Sequence, residues 1–239
     1  MITVFDNILL WHGDKENDYL SILDKKVSLT VSNEAIPSER MVSMEQIAQD
    51  IITIVTETDA GAGFINNKEK IARADAIITN AKNVFLCVRT ADCFPILIFD
   101  HVQKVIAAVH SGRESTKRNI VGKTIQKMQE AFQCSADHLH VSIGAGISKE
   151  YYAVDKDCYF DYYHAQSSLY DSALLAEKLN SKTFNIDLCE TILLQLYAQQ
   201  INKEHINIVD ECTYQNNNYF SYRRNKTKNR QLSTIGIKL

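Results

Sequence analysis

The chain has 239 residues, of which 45% are hydrophobic and 23% are charged, a balance typical of a globular protein with a full apolar core. Its formal net charge of −3 argues against general affinity for nucleic acid or for an anionic membrane surface. The first residues lack the pattern of a signal peptide, and no apolar run reaches the ~20 residues of a membrane span. We therefore expect one domain over residues 1–239 that binds neither nucleic acid nor a membrane.

The six cysteines are scattered along the chain and form no C-x-x-C pair. In a chain of this size without a secretion signal, such usage indicates reduced thiols and a cytoplasmic protein. No low-complexity block, repeat or proline-rich linker is visible. We also expect the protein to be a monomer.

The N-terminal part of the chain predicts short strands, because β-branched and apolar runs alternate with turn residues. Asp6–Asn7 predicts the turn of a first hairpin, and the glycines and asparagines of Asp59–Lys70 predict a loop. The predicted strands are 2–5, 8–11, 27–31, 51–55, 76–79 and 84–88.

Two apolar runs, Phe94–Phe99 and Val105–Val109, are too short for helices and predict a second hairpin that is buried on both faces. A turn centred between His101 and Val102 places Cys93 opposite His110, with their Cβ atoms about 4.5–5.5 Å apart. At that distance a thiol and an imidazole reach one another or a shared ion. The same pair also suits an ordinary core, since free cysteine is among the most buried residue types.

The C-terminal half alternates helices and strands, which predicts an α/β or α+β fold. Apolar residues at helical spacing predict an amphipathic helix over 115–133, and Asp187 with Glu190 resembles a capping box that opens a helix ending near Lys203. The remaining predicted elements are a helix at 168–180 and strands at 139–143, 206–209 and 231–238.

Two blocks of residues resemble a known family. The first contains Thr90-Ala91-Asp92-Cys93 and Ala107-Ala108-Val109-His110-Ser111-Gly112, and the second contains Cys212-Thr213-Tyr214, Tyr219-Phe220-Ser221-Tyr222-Arg223-Arg224 and Arg230-Gln231. They resemble the laccase-domain family, also called the multicopper polyphenol oxidase or peptidoglycan-editing factor family. The resemblance covers about residues 40–239, while the N-terminal ~40 residues look divergent and shortened.

This resemblance implies a mixed β-sheet core with flanking helices, similar to the deamidase domain of cytotoxic necrotizing factors. It implies a purine nucleoside phosphorylase with adenosine deaminase activity, both a transferase and a hydrolase, acting on adenosine, inosine or methylthioadenosine with phosphate. The implied catalytic residues are Cys93, His110, Asp92 and Arg223. The implied substrate-binding residues are Thr90, Ser111, Gly112, Tyr214, Phe220 and Arg224, and Arg223 and Arg224 are the expected phosphate contacts.

In the family, two histidines and one cysteine hold zinc, with copper as the older assignment. Cys93 and His110 match two of these ligands, but the first histidine falls on Ala48, whose methyl group cannot bind a metal. We therefore expect zinc to be bound weakly or not at all, unless another group fills in. The groups considered are His12, His138, His140 or a nearby carboxylate.

Further departures surround the same site. Arg113-Glu114-Ser115 stands where the family has Trp-Arg-Gly, and Ala153 stands where it has glutamate. Three interpretations follow: a purine nucleoside enzyme, a catalytically degenerate homologue that binds a nucleoside or a protein partner, and a thiol hydrolase that uses Cys93 with His110.

Overall fold

The structure is a computed structural model that describes residues 2–5, 7–25, 28–31, 34–65 and 68–239. Its strands are β1 (Ile2–Phe5), β2 (Ile8–His12), β3 (Leu29–Val31), β4 (Glu34–Ile36), β5 (Met41–Ser43), β6 (Ile52–Ile54), β7 (Ala76–Thr79), β8 (Phe85–Thr90), β9 (Phe94–Asp100), β10 (Val105–Ser111), β11 (Leu139–Ile143), β12 (Ile206–Ile208) and β13 (Gln231–Ile237). Its α-helices are α1 (Tyr19–Lys25), α2 (Arg113–Lys117), α3 (Ile120–Phe132), α4 (Lys156–Ala165), α5 (Ser172–Leu179), α6 (Leu188–Ala198) and α7 (Tyr222–Asn225).

Two mixed sheets form the centre of the molecule. One has the order β1-β2-β13-β8-β5 and the other the order β12-β11-β9-β10-β7-β6, and β3 pairs with β4 in a small separate ribbon. Most pairs are antiparallel, while β5–β8, β11–β12 and β6–β7 are parallel. This mixed α/β architecture confirms the predicted fold class.

The core lies in layers because the central strands are apolar on both faces. Along β9, Leu97 and Phe99 pack between the two sheets. Ile96 and Ile98 pack on the other face against the helices, including α3 and α6. A third cluster covers the outer face of the five-stranded sheet with α1 and the β3–β4 ribbon. The prediction that the β9–β10 hairpin is buried on both faces is confirmed.

Several predicted elements need adjustment. The helix predicted over 115–133 is two helices, because Asn119 adopts a left-handed conformation and its side chain accepts from the Gly122 amide. The helix opened by Asp187 ends at Ala198, earlier than predicted. Helix α4 was missed, since its tyrosines and charged residues do not follow a clear amphipathic period. Asp6, Val27, Asn66 and Asn67, which the predictions include, lie outside the described residues.

The predicted register of the β9–β10 hairpin was wrong by two residues. His110 faces Pro95 rather than Cys93, and Ser111 faces Phe94. The turn spans the four residues His101–Lys104, and it is organised by Asp100, whose Oδ1 accepts from the amides of Val102 and Gln103 at 2.8 Å each. An even shift keeps every side chain on its expected face, so Cys93 and His110 still meet at the open end of the hairpin.

All six cysteines have free thiols. No helix among the described residues is long and apolar enough to cross a membrane.

Candidate functional site at the open end of the β9–β10 hairpin

Cys93 and His110 meet around Gly112. Cys93 directly precedes β9, His110 lies near the end of β10, and Gly112 follows that strand. A Cβ atom placed on Gly112 would lie 2.8 Å from Cys93 Sγ and 3.6 Å from both Cε1 and Nε2 of His110. The thiol and the imidazole therefore border the same small space, and only glycine fits between them.

Asp75 holds the His110 ring and was missed in the sequence. Its fully buried carboxylate lies 2.8 Å from His110 Nδ1. It also accepts from the amides of Ile47, Ala48 and Gln49 at 3.2, 3.0 and 2.8 Å. Because an ionised carboxylate only accepts, Nδ1 donates and Nε2 is the ring atom beside Cys93. The available signal was a carboxylate directly before the buried strand β7.

These contacts change the pKa of both groups. Burial alone raises the pKa of Asp75, but the bonds from His110 and from the loop amides outweigh it and lower the pKa below its ordinary value. Burial alone lowers the pKa of His110, but Cys93 and Asp75 outweigh that effect and raise it to about 9. The contact between Asp75 and His110 therefore favours the charged form of both groups.

The donors at this site do not complete a catalytic zinc site, which usually has three protein ligands. Ala48 lies beside Asp75 in a left-handed conformation and offers only a methyl group. Asp75 is already occupied by His110 and the loop amides, so Cys93 Sγ and His110 Nε2 are the two donors that remain. Among the described residues, no group of three or more His, Cys, Asp or Glu side chains is arranged to hold a metal.

The other histidines considered as a third ligand make contacts of their own. His12 is held by the hydroxyls of Ser233 and Ser142, each 3.0 Å from a ring nitrogen. His138 and His140 cluster with His101 at the turn end of the hairpin, with ring centroids 5.5 and 5.2 Å from that of His101. The seven-residue strand β9 separates that end from Cys93 by about 20 Å.

Two cavities open beside Cys93. The first, called here the Tyr152 cavity, has a volume of about 260 Å³. Its described lining residues are Ala91, Asp92, Cys93, Arg113, Ile147, Tyr152, Leu188, Tyr222, Arg223 and Lys226. The second, called here the arginine cavity, has a volume of about 370 Å³. Its described lining residues are Gln46, Arg89, Thr90, Ala91, Cys93, His110 and Arg230.

Arg223 and Asp92 shape the Tyr152 cavity. The Arg223 guanidinium lies over the Tyr152 ring, 5.1 Å from its centroid, and donates to the Ala153 carbonyl at 2.7 Å. Asp92 accepts from Thr213 Oγ1 and from the Arg223 amide, both at 2.7 Å. Asp92 thereby ties the loop before β9 to the start of α7, so its contacts are those of a positioning residue.

Arg224 has a different environment from Arg223. Its guanidinium donates to the carbonyls of Thr213 and Tyr214 at 2.8 Å each and to that of Tyr219 at 2.6 Å. Arg224 lines neither cavity and instead fastens the loop before α7. The predicted phosphate contact from Arg224 is therefore not supported by its position.

Three further predicted substrate-binding residues also line neither cavity. Ser111 is buried, and its hydroxyl lies 2.7 Å from that of Thr116. Tyr214 stacks on Tyr151 with centroids 4.8 Å apart. The Phe220 amide donates to the side chain of Gln231, which anchors this segment to β13. By contrast, Thr90 lines the arginine cavity and Gly112 borders Cys93.

The segment that replaces Trp-Arg-Gly is well integrated. Ser115 Oγ accepts from the Gly112 amide and donates to the His110 carbonyl, both at 2.9 Å. It therefore starts α2 and fixes the backbone that carries His110. Glu114 pairs with Arg113 and Lys117 at 3.0 Å each, while Arg113 lines the Tyr152 cavity and supplies a cation one position before the expected arginine.

The layered mixed sheets and the Cys–His site define a class of α/β proteins with known relatives. The chain belongs to the family described as multi-copper polyphenol oxidoreductase laccase, whose model matches residues 10–238. The match begins well before the motif blocks, so it includes part of the N-terminal segment that looked divergent.

The relatives and structural neighbours agree on this family. A purine nucleoside phosphorylase of Clostridium acetobutylicum is 33% identical over 183 residues, covering 75% of this chain and 73% of the relative. One of Corynebacterium glutamicum is 30% identical over 199 residues, covering 83% and 75%. The crystal structure of YlmD from Geobacillus stearothermophilus superimposes with a TM-score of 0.75 at 21% identity, covering 97% of this chain and 91% of that one, which supports the fold.

Proposed function

We propose that the chain cleaves purine nucleosides, namely adenosine, inosine or methylthioadenosine, with phosphate as the acceptor of the sugar. The observation that carries this proposal is the meeting of Cys93 and His110 around Gly112, between two cavities of different chemistry. The relatives named purine nucleoside phosphorylase support the reaction class.

The Tyr152 cavity suits the nucleoside. The rings of Tyr152 and Tyr222 offer aromatic surface on which a purine stacks. Arg113 and Arg223 line the same cavity and can donate to the ring nitrogens or the exocyclic oxygen of the base. These donors favour the leaving base, because negative charge develops on it as the glycosidic bond breaks.

The reaction balances without a further reactant. The bond between C1′ and N9 breaks and its electrons leave with the purine, while a phosphate oxygen forms a new bond to C1′. From adenosine or inosine the products are ribose 1-phosphate and the purine base, and from methylthioadenosine they are 5-methylthioribose 1-phosphate and adenine. The proton that the base takes up is the one that the hydrogen phosphate ion gives up as its oxygen bonds to C1′. His110 is oriented by Asp75 with Nε2 beside Cys93, so the pair is placed to move a proton at the edge of both cavities.

Metal chemistry is not part of this mechanism. Deamination of adenosine by zinc enzymes depends on metal-activated hydroxide, and among the described residues this site presents two donors, Cys93 and His110, where a catalytic zinc site uses three. We therefore derive no deamination step from these residues, and expect zinc or copper to be bound weakly.

The test is turnover of the three nucleosides by the purified protein, with the released base measured by chromatography. We expect base release that requires phosphate and that is lost in His110→Ala, with His164→Ala, at an exposed position, as the matched control. Base release that is absent, or that proceeds equally without phosphate, overturns the proposal. Nucleoside binding without turnover would instead indicate the degenerate homologue.

A second candidate function is thiol hydrolysis, which the Asp75–His110 hydrogen bond favours. Cys93, His110 and Asp75 follow the order of nucleophile, base and orienting acid found in cysteine hydrolases. This function predicts that iodoacetamide modifies Cys93 faster than Cys158, which is also partly exposed, and that His110→Ala removes the difference. Equal labelling of the two thiols in the native protein argues against it.

A further inference from the structure

The arginine cavity contains two arginines, together with His110, and no acidic residue among its described lining residues. Arg89 lies over the Tyr19 ring at 4.7 Å and donates through Nη2 to the Met44 carbonyl at 3.2 Å. Arg230 donates through Nη1 to the carbonyls of Thr227 and Asn229. Neither guanidinium pairs with a carboxylate in the part of the chain that the structure describes.

The surroundings of Arg89 disfavour its positive charge on balance. Burial lowers the pKa of Arg89, and the neighbouring Arg230 lowers it further, although Tyr19 opposes both effects. The Asp18 carboxylate, next to Tyr19 in the chain, accepts from the backbone amides of Arg230 and Leu20. Two guanidinium groups at one cavity without an anion of their own favour an anionic ligand.

Two residues that line the cavity, Arg89 and Thr90, each have a buried polar atom without a hydrogen-bond partner among the described residues. Thr90 is 2% exposed, and its Oγ1 is buried without a hydrogen bond among the described residues. The Nε atom of Arg89 is in the same condition. A buried donor left unsatisfied costs about 1–3 kcal/mol, and native proteins leave few such groups unless a ligand, water or ion completes them. Both residues line the cavity beside Cys93.

We propose that the arginine cavity binds the phosphate co-substrate, with Arg89, Arg230 and Thr90 as its ligands. This assignment rests on the proposed function, because it names where the second substrate of that reaction binds. A phosphate dianion offers several acceptor oxygens, which match the guanidinium donors and the Thr90 hydroxyl. A neutral nucleoside would leave the two cations uncompensated.

The position of the cavity fits this role. It shares Ala91 and Cys93 with the Tyr152 cavity, so a phosphate in one cavity lies next to a nucleoside in the other. This phosphate site differs from the one that the sequence had indicated, in which Arg223 and Arg224 were the phosphate contacts. Arg223 is left to the nucleoside side, and Arg224 is occupied by backbone carbonyls.

The experiment is calorimetric titration of the nucleoside-free protein with inorganic phosphate. We expect Arg89→Met to weaken phosphate binding by about 10-fold or more, since hydrogen bonds to charged groups contribute about 1.5–3 kcal/mol. Thr90→Val keeps the shape of the side chain and removes only the hydroxyl, so we expect a loss of about 3- to 10-fold. Arg118→Met removes an exposed cation that is not among the lining residues of the cavity and leaves affinity unchanged.

The outcomes separate this inference from the proposed function. Unchanged phosphate affinity in Thr90→Val and in Arg89→Met overturns the inference, and Thr90→Val alone decides if Arg89→Met fails to fold. Binding of adenosine monophosphate, with no binding of inorganic phosphate, also overturns it by showing a nucleotide site.

Turnover supplies the second readout. If phosphate binds through Arg89 and Thr90 but no ribose 1-phosphate forms, the inference stands and the proposed function fails. If the enzyme turns over and Thr90→Val leaves the KM for phosphate unchanged, the proposed function stands and the inference fails. A rise in the KM for phosphate, with an unchanged KM for nucleoside, supports both.

Discussion

His110 and His12 are both nearly buried, with 9% and 7% of their surfaces exposed, yet their environments affect the two rings in opposite ways. His110 faces a buried carboxylate and a thiol, and its pKa is raised to about 9. His12 bridges the two sheets through the hydroxyls of Ser233 and Ser142, and burial lowers its pKa to about 3.

The comparison shows that the partners of a buried histidine, rather than its burial, separate a chemical site from a structural contact. The contacts of His12 do not outweigh the cost of burying its charged form. Asp75 instead fixes the His110 ring, and three loop amides fix Asp75. The loop that carries Ala48 thus supports the site although Ala48 cannot bind a metal.

Asp75→Asn should remove this difference between the two histidines and have the largest effect. The amide side chain puts an NH₂ group among backbone donors and leaves the His110 ring without its anionic partner. We expect phosphorolysis to fall by at least about 100-fold and the free energy of unfolding to fall by about 3 kcal/mol. Steady-state rates and urea unfolding measure both.

Asp161→Asn is the matched control for that substitution, because Asp161 is an exposed carboxylate paired with Lys117. It should change neither quantity appreciably. Equal effects of the two substitutions would mean that Asp75 does not orient His110.

Ala48→His should sharpen the comparison by completing the set of donors. Histidine tolerates the left-handed backbone at this position better than most residues, and it would add a third ligand to Cys93 and His110. We expect bound zinc to rise to about one ion per chain, measured by elemental analysis, with no rise in Ala48→Gln. Equal zinc in the parent protein and both variants would contradict the claim that the parent site lacks a third ligand.

Gly112→Ala should disturb the site around His110 and leave the contacts of His12 unchanged. The new methyl group would lie 2.8 Å from Cys93 Sγ, so the thiol must shift away from the imidazole. We expect a loss of about 1–3 kcal/mol of stability and a fall in turnover of about 10-fold. Full activity in this variant would show that the close approach of Cys93 and His110 is dispensable.

His12→Gln should change only the response to acid. The pKa of His12 is about 3 in the folded protein and 6.5 as its ordinary value, so between these values the unfolded chain binds a proton that the folded chain does not. Stability therefore falls as pH falls below 6.5. From pH 7 to pH 5 the parent protein should lose about 2 kcal/mol more than His12→Gln.

Urea unfolding at the two pH values measures this difference. His164→Gln, at an exposed histidine, is the control and should follow the parent protein. Parallel losses in the parent protein and in His12→Gln would show that His12 does not titrate on unfolding.

The sequence predicted the β9–β10 hairpin because its apolar runs are local and continuous. The register of this hairpin, and so the residue that faces His110, was not predictable from the sequence. It depends on a four-residue turn that the Asp100 side chain holds through hydrogen bonds, and the periodicity of apolar residues does not reveal such bonds. Asp75 was missed for a related reason. Its role depends on three amides from a loop more than twenty-five residues away in the chain.

The adjacent arginines Arg223 and Arg224 show the same limit of prediction from the sequence. Spacing cannot tell which of two adjacent arginines faces a cavity, because helix α7 turns them in different directions. Cys93, His110 and Arg223, which the motif match selected, each line one or both of the two cavities. It did not select Arg89, whose position depends on how β8 lies against β13.

The most direct test of the account is the sugar product that metal-stripped protein forms from inosine in phosphate buffer. Because the described residues at this site offer two metal donors and a carboxylate-held histidine, we predict equal amounts of hypoxanthine and ribose 1-phosphate, at a rate unchanged by prior chelation. Free ribose as the product, or activity that chelation abolishes and zinc restores, would contradict a metal-independent phosphorolysis at Cys93 and His110.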